Sequence, residues 1–161
     1  MNRKYAFLGL FSALAIILGY MESLIPISVG IPGIKLGLAN LAVLFILKRY
    51  TWKEALTVSF IRIAAIGFLF GNMFSILYSL AGALLSLSVM AFLQKKTDAS
   101  IFALSMAGGI SHNIGQILIA MAVVENLSLI YYIPVLLISG MLTGFLIGWL
   151  TGEVLKRIPG K

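Results

Sequence analysis

The chain has no cysteine and one histidine among its 161 residues, and only 11% of its residues are charged. Without cysteine there is neither a disulfide nor thiolate chemistry. The acidic residues are scattered singly, at Glu22, Glu54, Asp98, Glu125 and Glu153. Because carboxylate ligands for a metal must come together, no metal site is predicted. An aspartate-rich motif that would hold Mg²⁺ against a diphosphate is also absent.

Two further absences exclude classes of function. The chain has no Walker A sequence, so it does not bind ATP through a P-loop. Its net charge is +7, but the basic residues form short clusters rather than a stripe interleaved with aromatic residues. Binding to nucleic acid is therefore not expected. An enzyme active site is poorly supported, so no catalytic residue and no cofactor are predicted for this chain.

What the sequence has in abundance is apolar residues. They make up 61% of the chain, and the mean hydropathy is +1.08. A soluble domain is usually nearer half apolar and a quarter charged. This composition predicts an integral membrane protein with a single transmembrane domain, residues 1–161.

The apolar runs predict an all-α bundle of six transmembrane helices, since a span needs about 20 apolar residues. The predicted helices are Tyr5–Ile25, Ile34–Leu47, Trp52–Phe70, Met73–Leu93, Ser100–Val124 and Leu127–Leu155. The second is short enough to be re-entrant or to lie in a locally thinned bundle. Residues 26–33 contain two prolines and two glycines and are predicted to form a loop.

The basic residues predict the orientation. Of the 12 Lys and Arg residues, all but Lys35 and Arg62 lie where a bundle with both termini in the cytoplasm needs them. The first apolar run is too long for a typical signal peptide, so it is interpreted as a retained helix. We expect a multi-pass protein of the bacterial inner membrane, in contact with the lipid bilayer.

Polar residues within the apolar helices predict a substrate pocket. Arg62 lies near the middle of the third predicted helix, where a charge costs about 2.5–3.5 kcal/mol and needs a partner or a wet cavity. His112 and Gln116 are four residues apart and share one helix face. The candidate substrate-binding residues are Glu22, Lys35, Asn40, Arg62, Asn72, His112, Asn113 and Gln116. The alternative is a structural Arg62–Glu22 pair, with His112 and Asn113 forming hydrogen bonds between helices.

Small residues at four-residue spacing predict close helix contacts. Helix packing is assigned to Gly140, Gly144, Gly148 and Gly152 in the sixth predicted helix. The first predicted helix has two shorter pairs, Gly9/Ala13 and Ala15/Gly19. From Gly9 to Ala15 a helix turns by about 600°, so the pairs face different directions. Either one pair docks on a partner protein and the other packs internally, or both pack internally.

Three motifs carry a resemblance to a known family. They are 32–40 (PGIKLGLAN), 79–82 (SLAG) and 112–116 (HNIGQ). With them the chain resembles the Gx transporter family, whose members are often named heptaprenyl diphosphate synthase component I. That family is similar in size and plan to the S components of energy-coupling factor (ECF) transporters. The resemblance implies a subunit that binds a vitamin-like or micronutrient solute and docks on a T component through small residues of its first helix. Two partner ATPases would use ATP.

The synthase name implies a different role. The chain would then be a non-catalytic membrane subunit of heptaprenyl diphosphate synthase, because it lacks the aspartate-rich motif. A self-contained secondary transporter is a third interpretation, which the absence of a visible inverted repeat disfavours. We expect the S-component role, and keep the synthase subunit as the alternative.

Overall fold

The computed structural model describes residues 3–24 and 36–158. Within these ranges 91% of the residues are helical and no strand occurs, which confirms the predicted all-α class. The helices are α1 (Arg3–Leu24), α2 (Leu38–Arg49), α3 (Trp52–Phe70), α4 (Met73–Lys96), α5 (Ile101–Val124) and α6 (Ile133–Arg157). The predicted loop 26–33 lies outside the described residues.

Local side-chain caps explain where three helices begin. The Thr51 side chain accepts a hydrogen bond from the Lys53 N–H, and Glu54 accepts one from the Thr51 N–H, forming a capping box at α3. Asn72 caps α4 by accepting from the Ser75 N–H at 2.9 Å. Ser100 caps α5 in the same way. Each cap satisfies a backbone N–H that has no partner within its own helix.

Several predicted helix boundaries were wrong. Helix α2 begins at Leu38 and ends at Arg49, whereas Ile34–Leu47 was predicted. Residues Leu127–Tyr132 form a 3₁₀ helix, and α6 begins only at Ile133. Pro134 lies in the first turn of α6, where its missing N–H costs nothing and its fixed φ suits a helix start. The fourth helix continues through Lys96 instead of ending at Leu93, so the polar loop after it begins at Thr97.

The helices form a closed ring in the order α1, α3, α4, α5, α6, α2, and α2 also packs against α3. Helix α2 has 12 residues, of which seven are buried, including Phe45 and Ile46 with no exposed surface. A helix that is apolar all round is expected to be surrounded by protein. The predicted short helix is therefore a central element of the bundle.

The basic helix ends gather at one end of the bundle. Lys4 of α1 forms an ion pair with Glu54 of α3, with 2.5 Å between Nζ and Oε1. Arg49 at the end of α2 donates a hydrogen bond to the Ile158 carbonyl, just after α6. The Gln94 side chain near the end of α4 donates to the Leu47 carbonyl. These contacts place the starts of α1 and α3 at the same end of the bundle as the ends of α2, α4 and α6. This is expected when consecutive helices run in alternating directions.

Four helical segments are long and apolar enough to cross a membrane: Arg3–Leu24, Met73–Lys96, Ile101–Val124 and Leu127–Arg157. Of the predicted six spans, α2 is only about 18 Å long at the rise of an α-helix, and α3 carries Lys53, Glu54 and Arg62. The outer surface is apolar, and side chains such as Phe68 are mostly exposed. Such a surface is typical of a multi-pass membrane protein.

Candidate functional site

A cavity of about 120 Å³ lies between α1, α3 and α4, at the end of the bundle opposite the basic cluster. It is formed by the last turns of α1, the second half of α3 and the first turns of α4. Its lining residues are Gly19, Glu22, Ser23, Arg62, Ile63, Ile66, Gly67, Phe70, Gly71, Ser75 and Ser79. The cavity is therefore polar on one side, although it is built into three apolar helices.

Arg62 is the cationic residue of this cavity. Its side chain is partly buried, and its buried Nε atom has no hydrogen-bond partner among residues 3–24 and 36–158. The ion pairs among the described residues are Lys4–Glu54 and Lys156–Glu153, so Arg62 takes part in neither. A guanidinium group carries five N–H donors and accepts nothing. Arg62 thus lines the cavity with a donor that no protein group accepts in the described ranges, and such a buried donor is costly unless a ligand or water accepts from it.

Glu22 lines the same cavity and is held in place by the backbone. Its Oε1 accepts a hydrogen bond from the Gly37 N–H at 2.6 Å, which ties the end of α1 to the start of α2. Gly37 has φ +74°, a left-handed conformation that favours glycine. Glu22 attracts Arg62 electrostatically but forms no ion pair with it. The two opposite charges therefore share the cavity without being in contact.

Two hydroxyl groups complete the polar wall, and the sequence analysis did not assign them. Ser75 and Ser79 are four residues apart on α4, so they share one face, and both line the cavity. Neither hydroxyl has a hydrogen bond to the described part of the chain. The signal that could have found them is this spacing of two hydroxyls in an otherwise apolar helix start.

Glycines allow the walls of the cavity to come close. A Cβ placed on Gly67 would lie 2.1 Å from Cγ1 of Ile76, and one on Gly19 would lie 2.3 Å from Cδ1 of Ile66. A larger residue at either position would displace the isoleucine side chain that packs against it. The small volume of the cavity is therefore fixed by helix packing.

Other predicted site residues lie elsewhere. The Asn113 side chain donates to the Leu136 carbonyl at 2.7 Å and to the Ser139 hydroxyl, which joins α5 to α6. Asn72 is the exposed cap of α4. Asn40 lines a separate cavity of about 30 Å³ in the centre of the bundle. These side chains are not brought to the Arg62 cavity.

His112 and Gln116 face α4. A Cβ placed on Gly82 would lie 2.9 Å from both His112 Nε2 and Gln116 Cγ, so Gly82 makes room for the pair. They occupy the packed interface between α4 and α5 and do not line the cavity beside Arg62. Lys35 is outside the described residues. Glu22 and Arg62 are thus the two predicted residues that the structure brings together.

The two small-residue pairs of α1 face opposite ways. Gly9 and Ala13 are exposed, and a Cβ on Gly9 would meet nothing within 4 Å. Ala15 and Gly19 are buried. Gly9 and Ala13 lie in a groove between α1 and α3, beside Ser12 and Thr57. The bundle therefore uses one pair for its own packing and leaves the other on its outer surface.

The α6 glycines face α5. A Cβ on Gly144 would lie 2.7 Å from the Ser105 carbonyl oxygen, and one on Gly140 would lie 2.7 Å from that of Gly109. Gly148 is also close to the α5 backbone, whereas Gly152 has only an ordinary contact at 3.8 Å with Ile101. Backbone-to-backbone contact of this kind is how small residues join helices in a membrane.

The chain matches one known protein family over most of its length. The family described as heptaprenyl diphosphate synthase component I matches residues 11–154. The chain belongs to the heptaprenyl diphosphate synthase component I family. The resemblance carried by the three sequence motifs is thereby confirmed. No curated protein and no solved structure matches the chain significantly.

The family match spans the whole cavity, from Gly19 to Ser79, and leaves out Gly9 at the start of α1. The family description names one component of a diphosphate synthase. Residues 3–24 and 36–158 contain no group of three or more His, Asp or Glu side chains that could hold a metal ion.

Proposed function

We propose that this chain is a non-catalytic, membrane-embedded subunit that binds a small solute in the Arg62 cavity and acts together with a partner protein. The observation that carries the proposal is the guanidinium group of Arg62, which lines a cavity and has no hydrogen-bond partner in the described ranges. A charge at such a depth is functional by default, because an idle one would be costly to keep.

The donors of Arg62 define what the cavity binds. A planar fork of N–H groups suits a carboxylate, a phosphate or another strong hydrogen-bond acceptor. The solute would carry such a group, and the Ser75 and Ser79 hydroxyls would add hydrogen bonds to it. The small volume, about 120 Å³, limits the enclosed part to a few heavy atoms.

The arrangement of charges supports an orientation. The basic helix ends would face the cytoplasm, as positive residues do in membrane proteins. The cavity, at the opposite end, would then open in the outer half of the bilayer of a bacterial inner membrane. In this orientation α2 and α3 join the four longer apolar segments in a six-helix bundle, with α2 shielded by its neighbours.

The family match supports a first candidate for the partner. The matched description names component I of heptaprenyl diphosphate synthase. In this role the chain would be the membrane subunit of that enzyme, and a soluble prenyltransferase would supply the catalytic carboxylates. Binding of an anionic group by Arg62 would then hold a substrate or product at the membrane.

A structural observation favours a second candidate, the S component of an ECF transporter. Gly9 and Ala13 form a small-residue face that the bundle leaves uncovered. Such a face allows another helix to come close. The partner would then be a transmembrane T component with two ATPases, and the cavity would deliver its solute by reorientation of the whole bundle.

Purification of the tagged chain from its native membrane in mild detergent, followed by protein mass spectrometry, tests the proposal. A co-purified soluble prenyltransferase supports the synthase subunit, and a T component with two ATPases supports the S component. If the chain is obtained alone yet transports a solute when reconstituted in vesicles, the dependence on a partner is wrong and a self-contained transporter takes its place.

A further inference from the structure

The charges that line the Arg62 cavity are balanced but separate. Among its lining residues, Arg62 is the cation and Glu22 the anion, and they form no ion pair. The Glu22 carboxylate is fixed through Oε1 by the Gly37 N–H, so it cannot swing to Arg62 without losing that bond. The second oxygen of Glu22 has no hydrogen bond within the described ranges.

A cavity of this kind prefers a ligand without net charge. In a low-dielectric site an unbalanced charge is costly to desolvate, whereas opposite charges compensate each other. A simple anion bound to Arg62 would leave the cavity net negative because of Glu22. A ligand that carries one anionic and one cationic group would satisfy both side chains and keep the sum at zero.

We propose that the cavity binds a small zwitterion, with its anionic end on the Arg62 guanidinium and its ammonium end on the free oxygen of Glu22. This inference rests on the proposed solute-binding function and names the substrate class of the same cavity. The Ser75 and Ser79 hydroxyls lie on the α4 wall, where they can donate to the anion or accept from the ammonium.

The volume sets the size of the zwitterion. The cavity measures about 120 Å³, somewhat less than the ~150 Å³ cavity that accommodates a benzene molecule. It therefore has room for about six heavy atoms. A prenyl chain does not fit inside it. Two sources share the required chemistry. One is a free amino-acid-like solute, which fits inside; the other is the phosphoethanolamine headgroup of a lipid, which is larger and would enter the cavity only in part.

Three matched probes test the substrate class: β-alanine, propionate and propylamine. Propionate lacks the ammonium group of β-alanine and propylamine lacks its carboxylate, while the chain length is the same. Binding to the purified protein in nanodiscs of phosphatidylglycerol would be measured by ligand-observed NMR. We expect β-alanine to bind at least about tenfold more tightly than either single-charge probe, about 1.4 kcal/mol.

Single substitutions test which residue binds each charged end of the ligand. Glu22→Gln keeps an oxygen for the Gly37 N–H but removes the charge, so it should reduce β-alanine binding to the level of propionate. Arg62→Gln should reduce it to the level of propylamine. Glu153→Gln and Arg157→Gln make the same changes at the other end of the bundle and should leave binding unaltered.

Nanodiscs that contain phosphatidylethanolamine distinguish the two sources. If this lipid displaces β-alanine from the wild-type protein, the zwitterion is a lipid headgroup; without displacement it is a free solute. Propionate binding equal to that of β-alanine, dependent on Arg62 and indifferent to Glu22→Gln, would overturn the inference but leave the anion-binding subunit intact. No binding of any probe or of the lipid would overturn both.

Discussion

Arg62 brings a full positive charge into an apolar helix and places it beside a cavity instead of a carboxylate partner. Glu22, the nearest candidate partner, uses Oε1 to fix Gly37. Glu22 therefore ties the end of α1 to the start of α2, and Arg62 takes part in no ion pair among the described residues.

Gly37 shows how a single backbone position supports the site. Because its φ is +74°, an L side chain there is strained by about 1–2 kcal/mol. We predict that Gly37→Ala lowers the free energy of unfolding by about that amount and weakens solute binding, since Glu22 would lose its anchor. Reversible unfolding in detergent and ligand-observed NMR measure the two effects.

Gly9→Ala is the matched control for this prediction. Gly9 is exposed in α1 and a Cβ there meets nothing within 4 Å. Alanine is better than glycine within a helix by about 1 kcal/mol, so this change should leave stability equal or higher. Equal stability of Gly37→Ala and Gly9→Ala would show that the left-handed conformation at Gly37 contributes nothing.

At the residue scale, the sequence predicted that Arg62 and Glu22 belong to one region, because a charge within the membrane requires a partner or a wet cavity. The alternative interpretation of Asn113, a hydrogen bond between helices, is the one that its bond to the Leu136 carbonyl matches. The role of Asn72, which caps α4 by accepting from the Ser75 N–H, was not predicted. A polar residue in an apolar helix can bind a ligand or a neighbouring backbone, and only the packing of the helices decides which.

The two small-residue faces of helix α1 differ in their burial. Ala15 and Gly19 are packed against the bundle, whereas Gly9 and Ala13 remain on the surface. The sequence predicted that the two pairs face different directions, since helical geometry alone fixes that angle. Which pair faces inward depends on how α2 and α3 are placed, and no local pattern contains that information.

Paired substitutions in α1 separate folding from partner binding. Ala13→Leu should preserve folding and solute binding but remove the co-purified partner, because a bulky side chain blocks close helix approach. Ala15 has no exposed surface, so Ala15→Leu should destabilise the bundle by about 1–3 kcal/mol through overpacking. Thermal unfolding and co-purification report the difference. If Ala13→Leu retains its partner in full yield, α1 is not the docking surface.

The α5–α6 contact offers a second test at the same scale. Gly144→Ala would place a Cβ 2.7 Å from two backbone atoms of α5, so we expect a clear loss of thermal stability. Gly152→Ala, on the same face with its neighbour at 3.8 Å, should be neutral or slightly stabilising. Similar melting temperatures for the two variants would contradict the close backbone contact.

The start of a helix is not determined by where an apolar run begins. The run that starts at Leu127 is continuous in hydropathy, yet α6 starts at Ile133 because Pro134 belongs in a first turn. The capping residues Thr51, Asn72 and Ser100 are local signals, and the helix starts near them agree with the prediction. The three capped helix starts were thus predicted, whereas the start of α6 was placed from hydropathy although Pro134 marks it.

On the scale of the whole molecule, the basic residues organise the bundle. Basic residues lie at one end of the bundle because consecutive helices run in alternating directions. The cavity lies at the other end. The all-α class followed from composition. The ring order, with α2 in the interior, could not be predicted, because every apolar helix face is equally suited to lipid or protein.

Cysteine labelling tests the orientation. The chain has no native cysteine, so single cysteines can be introduced at Asn2, Asn126 and Lys161 without background. In intact cells a membrane-impermeant thiol reagent should label the cysteine at Asn126 and spare those at the termini. After lysis all three should react. Labelling of either terminus in intact cells would reverse the proposed orientation.

The most direct test of the binding subunit is the small molecule that the protein retains. The wild type, Arg62→Met and Arg157→Met would be purified gently from native membranes, and their retained solutes identified by mass spectrometry. We predict that the wild type and Arg157→Met carry the same solute and that Arg62→Met is folded but lacks it. The solute at equal occupancy in Arg62→Met, or a loss of yield that Glu22→Gln restores with the solute still bound, would show that Arg62 is structural and contradict the account.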